Sequence, residues 1–317
     1  MPRRIILDCD PGHDDAIALI LAHGNPEIDL AAITVVAGNQ TIDNVTRNAL
    51  ATATVAGITG VPIAAGAHRS LIEPQFVADV HGETGLDGPV LPEPTVSLDP
   101  RHGVDLIIDT VMGSQPGEIT LVPTGPLTNI ALAVRKEPRI VARVREVVLM
   151  GGAYHGGNYS AAAEFNIAVD PEAAHIVFGE PWPLTMIGID LTHQALATPA
   201  VVERITALDT EVSRFVVDIL DFFTESYQDT QGFAAPPVHD PCTVAYVIDP
   251  AVLTTRKAPL RVELTGGLTR GMTVADFRFP PPPDCTTSVA VTLDHERFWN
   301  LVVDAISRLR PSAEAVR

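Results

Sequence analysis

Residues 4–23, RIILDCDPGHDDAIALILAH, decide the fold. The segment 4–8 is a short apolar run that reads as a buried strand. Pro11-Gly12 makes a turn. Residues 14–23 are apolar almost throughout and read as a helix, stopped by Gly24-Asn25-Pro26. A buried strand that turns straight into a buried helix is the first half of a βαβ unit. The alternation continues outward. Residues 30–36 are strand-like, 41–58 helical, 61–65 a strand, 104–112 helical and 118–123 a strand. Residues 126–135 read as a helix with Pro126 at its first position. Then come strand 146–150, helix 171–178 and strand 184–189. This predicts an α/β fold with a mainly parallel, doubly wound, Rossmann-like central sheet flanked by helices. The later part adds helices at 199–208, 210–229 and 241–247, strands at 260–264, 272–277 and 289–293, and a terminal helix at 295–309. No repeat or long linker divides the chain, so one domain over residues 1–317 is expected.

The chain carries 21 Lys and Arg against 39 Asp and Glu, a net charge of −18. That balance argues against a nucleic-acid backbone or an anionic membrane as partner. At 46% hydrophobic residues there is ample material for a core. Cys9, Cys242 and Cys285 lie far apart with no C-x-x-C pair, which argues against zinc-thiolate and disulfide frameworks. The N-terminal apolar run is too short for a signal peptide, so a cytoplasmic location is expected.

In an open parallel sheet, ligands bind beyond the carboxyl ends of the strands. Here those ends run into Asp8-Cys9-Asp10 and Asp14-Asp15, Gly38-Asn39, Thr124-Gly125, Gly151-Gly152 and Asp190. Asp8, Asp10, Asp14 and Asp15 fall within eight residues, and such a cluster is costly unless a cation compensates it. Asp14 or Asp15 could serve only as first-turn acids of the helix, but that does not explain Asp10. A hard-cation site for Ca²⁺ or Mg²⁺ is the better reading. Asp240, in His239-Asp240-Pro241, is equally well read as the cap of a following helix. A loop with Asn158, Glu164, Phe165 and Asn166 suits hydrogen bonding to a hydroxyl-rich ligand, whereas Asp170-Pro171 reads as a helix start.

Together these segments resemble the inosine–uridine preferring nucleoside hydrolase family. The matching stretches are DCDPGHDDA at 8–16, AGN at 37–39, TGPLTNIA at 124–131, MGG at 150–152, AAEFN at 162–166, DPEAA at 170–174, HDPC at 239–242 and RGMTVAD at 270–276. The resemblance implies hydrolysis of the N-glycosidic bond of ribonucleosides to ribose and free base, a role in nucleoside salvage, and a homo-oligomer, tetramer or dimer. It implies a held Ca²⁺ with Asp10, Asp15 and Asp240 as side-chain ligands and Thr124 as a carbonyl ligand. Asp10 is then the base acting on the metal-bound water, and His239 the acid that protonates the departing nucleobase. Asn39, Asp14, Asn158, Glu164 and Asn166 are implied ribose contacts, with Met150 and Asp240 also facing the substrate.

Two segments are similar to the family's flaps, one around His81 and one spanning 224–237. His81 is expected either near the ligand or as an exposed loop residue, and Phe165 and Tyr227 either against the nucleobase or as packing residues. Base preference stays open. Two competing readings are a haloacid-dehalogenase-type phosphatase and a non-catalytic nucleoside-binding protein. The first needs a hydroxyl residue where Gly12 stands, and the second is disfavoured by the presence of both Asp10 and Asp14.

Overall fold

The computed structural model describes residues 1–309, excepting the side chains of Asp79, Thr230 and Gln231. Its strands are β1 (Arg3–Cys9), β2 (Ile28–Val35), β3 (Ile63–Ala65), β4 (Ile119–Pro123), β5 (Glu146–Met150), β6 (Leu184–Ile187), β7 (Leu253–Lys257), β8 (Leu260–Val262), β9 (Thr273–Ala275) and β10 (Thr287–Leu293). The α-helices are α1 (His13–Gly24), α2 (Ile42–Ala56), α3 (Gly103–Gly113), α4 (Thr128–Lys136), α5 (Phe165–Val169), α6 (Pro171–Gly179), α7 (Ile189–Thr192), α8 (Pro199–Thr206), α9 (Glu211–Gln231), α10 (Pro241–Ile248) and α11 (His295–Arg308).

Eight strands form one sheet in the order β3-β2-β1-β4-β5-β6-β10-β7. All neighbours are parallel except β7, which runs antiparallel to β10. β8 and β9 make a separate antiparallel pair. The chain winds outward from β1 through β2 to β3, then returns to β4 on the other side of β1. The crevice between the ends of β1 and β4 is therefore the switch point at which such sheets bind ligands.

Two apolar layers cover the two sheet faces. Ile5, Leu7 and Cys9 of β1 join the layer that includes α1, α2, α9, α10 and α11, whereas Ile6 joins the layer of α3, α4 and α6. That alternation is the two-residue period of a strand. It sends Asp8 toward α4, where its Oδ1 accepts from Thr34 Oγ1 at 2.6 Å and Asn129 Nδ2 at 2.8 Å. Asp10 lies past the strand end, so the two acids do not share a face. In α1 every residue but His23 is buried, which accounts for a helix apolar on all sides. No α-helix among the described residues is long and apolar enough to cross a membrane.

Several expected boundaries shift. α4 begins at Thr128, so Pro126 precedes the helix instead of opening it. β6 stops at Ile187, because the Ile189 N–H bonds Gly152 O at 3.0 Å and the chain turns into α7. Strand β7 carries no apolar signal: four of its five residues are exposed at the sheet edge. The helix expected over 210–229 forms as α9 and runs on to Gln231, into the segment also expected as a flap, ending at Gly232, whose φ of 72° is left-handed.

Candidate active site

Asp8 of β1 is level with Pro123 of β4, so the residues that follow, Cys9-Asp10 and Thr124-Gly125, meet at the switch point. Asp10 is fully buried. Its Oδ2 accepts the Asn39 N–H at 2.6 Å, and its Oδ1 is sealed from solvent without a protein partner. A Cβ on Gly38 would collide with Asp10 Oδ2, and one on Gly125 with Asp10 Oδ1. The glycines of the AGN and TGP motifs thus let two loops close on one carboxylate.

Asp14 and Asp15 occupy the first turn of α1. Asp15 Oδ1 accepts from Thr124 Oγ1 at 2.8 Å and from the Asp10 N–H at 3.3 Å. Its Oδ2 accepts the Gly12 N–H at 3.1 Å and Asn39 Nδ2 at 3.3 Å. Asp240 precedes α10 but makes no side-chain capping bond, so the capping alternative is not realised. Instead, carboxylate oxygens of Asp14, Asp15 and Asp240 lie within 4.8 Å of one another. Asp170, by contrast, caps α6 through the Ala173 N–H at 3.0 Å.

Burial raises the pKa of the clustered aspartates, and repulsion from neighbouring acids adds to it at Asp8, Asp10, Asp14 and Asp240. Asp8 is pushed up to about 7. Asp10 and Asp240 are pushed well above the usual carboxylate range, and Asp14 and Asp15 rise as well. An all-oxygen, buried, acidic cluster of this kind is a donor set for a hard cation.

A cavity of about 420 Å³ opens onto this cluster. At one end Glu164, pushed up to about 7 by burial, accepts N–H groups of Gly152 at 2.8 Å, Asn166 at 2.9 Å and Ile167 at 3.2 Å. Glu164 is also the N-cap of α5. Asn166 Nδ2 donates to the Thr124 carbonyl at 2.7 Å and to Met150 O and Sδ at 3.3 Å. Asn158 Oδ1 accepts the Phe165 N–H at 2.9 Å. Asp14, Asn39, Met150, Asn158, Glu164, Phe165 and Asn166 all line the cavity.

At the other end His239 is hydrogen-bonded on both ring nitrogens, to Thr192 Oγ1 at 2.7 Å and to Tyr227 OH at 2.8 Å. Its backbone N–H donates to Asp14 Oδ2 at 3.1 Å. Burial lowers its pKa to about 3. Tyr227 and His81 line the same cavity and are buried, which corrects the expectation of an exposed His81. The Ser226 hydroxyl on α9 holds the His81 loop through Val80 O at 2.8 Å.

Twelve of the fourteen predicted site residues line one cavity, whereas Asp10 and Asp15 lie buried outside its lining, tied to it through Asn39 and Thr124. Sequence reasoning missed Thr192, whose only sequence feature is its place after β6. It also missed Val77, Ala78, Val80 and Tyr159 in the cavity wall. His13 stood inside the quoted motif without a role.

Comparison with known proteins agrees with this geometry. The sequence model of the family described as inosine-uridine preferring nucleoside hydrolase matches residues 5–300. The chain is 60% identical over 311 residues to the inosine-uridine preferring nucleoside hydrolase of Crithidia fasciculata, covering 98% of this chain and 99% of that protein. It is 45% identical over 305 residues to the pyrimidine-specific ribonucleoside hydrolase RihB of Escherichia coli, covering 96% and 97%. The solved purine-preferring ribonucleoside hydrolase from Gardnerella vaginalis superposes with a TM-score of 0.91 at 36% identity, over 98% of this chain and 99% of that one.

The raised acids set a pH dependence. Asp8 and Glu164, at about 7 when folded, sit near 4 when unfolded. The folded state therefore holds more protons between about pH 4 and 7, and their contribution to stability falls as pH rises through that window. The expected ligands Asp10, Asp15 and Asp240 are raised in the same direction, and a bound divalent cation would displace the protons they hold. The difference in melting temperature between chelated and Ca²⁺-supplemented protein should thus widen from pH 5 to pH 8. A difference that stays flat or shrinks, measured by calorimetry, would contradict the cation reading of the cluster.

Proposed function

The chain belongs to the inosine-uridine preferring nucleoside hydrolase family and hydrolyses ribonucleosides to ribose and free base; from that premise we propose how its residues divide the work. The observation that carries the proposal is a buried carboxylate cluster that meets, in one cavity, the amides of Asn39, Asn158 and Asn166 and the hydrogen-bonded Tyr227–His239 pair.

The cation is Ca²⁺, held by the side chains of Asp10, Asp15 and Asp240 and by the Thr124 carbonyl. Support comes from the unpartnered Asp10 Oδ1, the clustered oxygens of Asp15 and Asp240, and the Asn166 amide that orients the Thr124 carbonyl. When bound, the ion compensates the acidic charge and makes nearby water more acidic. Asp10 takes a proton from the attacking water. Its Oδ1, without a protein partner, is the oxygen for the cation, and Oδ2, which accepts the Asn39 N–H at 2.6 Å, keeps a lone pair for that task.

Asp14, Asn39, Asn158, Glu164 and Asn166 hold the ribose hydroxyls. As the base departs the ribose ring gains oxocarbenium character, and the surrounding carboxylates and amide oxygens stabilise its positive charge. Phe165 packs at the cavity wall against Phe76, edge to face at 5.7 Å. The nucleobase lies toward Tyr227, His239 and His81. The Tyr227–His239 pair is the proton source for the leaving base, with His239 as the supplying group. Burial keeps its imidazole neutral in the free protein, and negative charge growing on the base opposes that effect.

Three outcomes follow. Asp10→Asn should nearly abolish turnover, and chelation should do the same reversibly. Full-rate hydrolysis by metal-free protein would exclude the Ca²⁺ assignment. Buried groups built for a hydroxyl are left unpaired without it, so uridine should be strongly preferred over 2′-deoxyuridine, and equal rates would remove the ribose clamp. His239→Ala should slow inosine or uridine hydrolysis by roughly 10²–10⁴-fold. The same variant should cleave p-nitrophenyl riboside at close to the parent rate, because that leaving group needs no proton. Parallel losses on both substrates would instead mean that His239 only positions Asp240.

A further inference from the structure

Two aromatic walls border the cavity. Tyr227 belongs to one, in edge contact with Phe223 and hydrogen-bonded to His239. Tyr159 and Phe165 belong to the other, and both line the cavity. Tyr159 stacks on Phe76 with centroids 4.2 Å apart, and Phe165 meets the Phe76 ring edge to face. Among the described residues no ring contact joins the two walls. The two halves of the stack come from different loops. Phe76 leads into the segment 77–81, which is anchored where the Ala78 N–H bonds Asn39 O at 3.1 Å and where Val80 O accepts from Ser226 at 2.8 Å. Tyr159 sits at the tip of the loop between β5 and α5 and is 52% exposed. Among the described residues, the hydrogen bonds of that tip, residues 157–160, all go to residues 161–165. Phe76 thus ties a tip bonded only to its own neighbours to an anchored segment.

We propose that Phe76 and Tyr159 are positioning residues for the ribose 5′ hydroxyl: their stack holds the loop tip so that Asn158, next to Tyr159, stays against the 5′ carbon. The inference rests on the proposed placement of the base toward Tyr227 and His239. In a ribonucleoside the base sits on C1′ and the CH2OH group on C4′, on either side of the ring oxygen. With the base on the first wall, the CH2OH group faces the second. The groups there match a hydroxyl, which both donates and accepts. Asn158 Oδ1 is taken by the Phe165 N–H, and its Nδ2, bonded to none of the described residues, is left to donate. Glu164 beside it supplies an acceptor. Holding an exposed tip in one arrangement costs conformational entropy, and the aromatic stack offsets part of that cost.

The test is kcat/KM for uridine against 5′-deoxyuridine, in which hydrogen replaces the hydroxyl. The parent protein should prefer uridine. Phe76→Ala and Tyr159→Ala should each shrink that preference by roughly threefold to tenfold, the worth of one aromatic stack. The double variant should shrink it no further than either single change, because both remove the same contact. Tyr159→Phe should restore the preference, since the ring carries the stack and the Tyr159 hydroxyl bonds none of the described residues. Phe76 does not line the cavity, so its effect passes through Tyr159. Comparing two substrates on one preparation cancels any loss of folded protein. Equal losses on both substrates with the preference intact, additive losses in the double variant, or a Tyr159→Phe variant that behaves like Tyr159→Ala would each overturn the proposal. A parent protein that hydrolyses both nucleosides equally would sink the placement of the ribose itself, and the inference with it, before any variant is made.

Discussion

Mutual repulsion among five buried aspartates is the constraint on which the rest of this structure depends. Asp8, Asp10, Asp14, Asp15 and Asp240 are each at most 4% exposed; burial raises every one of their pKa values, and neighbouring negative charge adds to the rise at Asp8, Asp10, Asp14 and Asp240. The fold answers that repulsion locally. α1 and α10 both direct their N-terminal ends at the cluster, where the helix dipole favours negative charge. Backbone N–H groups of Asp10, Gly12, Asn39 and His239 donate into it. Asp8 is drawn aside by Thr34 and Asn129. What these donors leave unsatisfied, chiefly Asp10 Oδ1, is the residual demand that a divalent cation meets in the proposed assignment.

The cavity divides by chemistry. Its carboxylate and amide end suits hydroxyls and a developing positive charge, and its Tyr–His end suits a leaving group that becomes negative. The two are joined where the His239 N–H donates to Asp14. The relatives named for purine, pyrimidine and inosine-uridine substrates are similar over nearly the whole chain, so the shared fold does not separate them.

Much of this was legible in the sequence. The alternation of strand and helix patterns from residue 4 to 189 gave the parallel sheet, because each pattern is local and is set by side-chain period. The motif acids were legible too, since apolar strands that run into Asp-x-Asp and Thr-Gly deliver those groups to one rim in a parallel sheet. Strand β7 was not legible, as an edge strand needs no apolar face. The helix expected over 210–229 was legible from its period, and it forms as α9; the overlapping resemblance to a flap over 224–237 holds as non-helical chain only beyond Gly232.

By itself the sequence determined the fold class, the family resemblance and the residues that crowd the strand ends. Tertiary structure decided which of those residues meet and in what state. Asp240 is more than two hundred residues from Asp15, and only the packing of α10 on α1 makes its carboxylate a partner instead of a cap. His81 looked like an exposed loop residue until Phe223 and His13 were found against it. Burial, tautomer and pKa depend on neighbours that are distant in the chain. Local patterns fix which elements form, and only three-dimensional packing fixes which solvent and which charge each side chain sees.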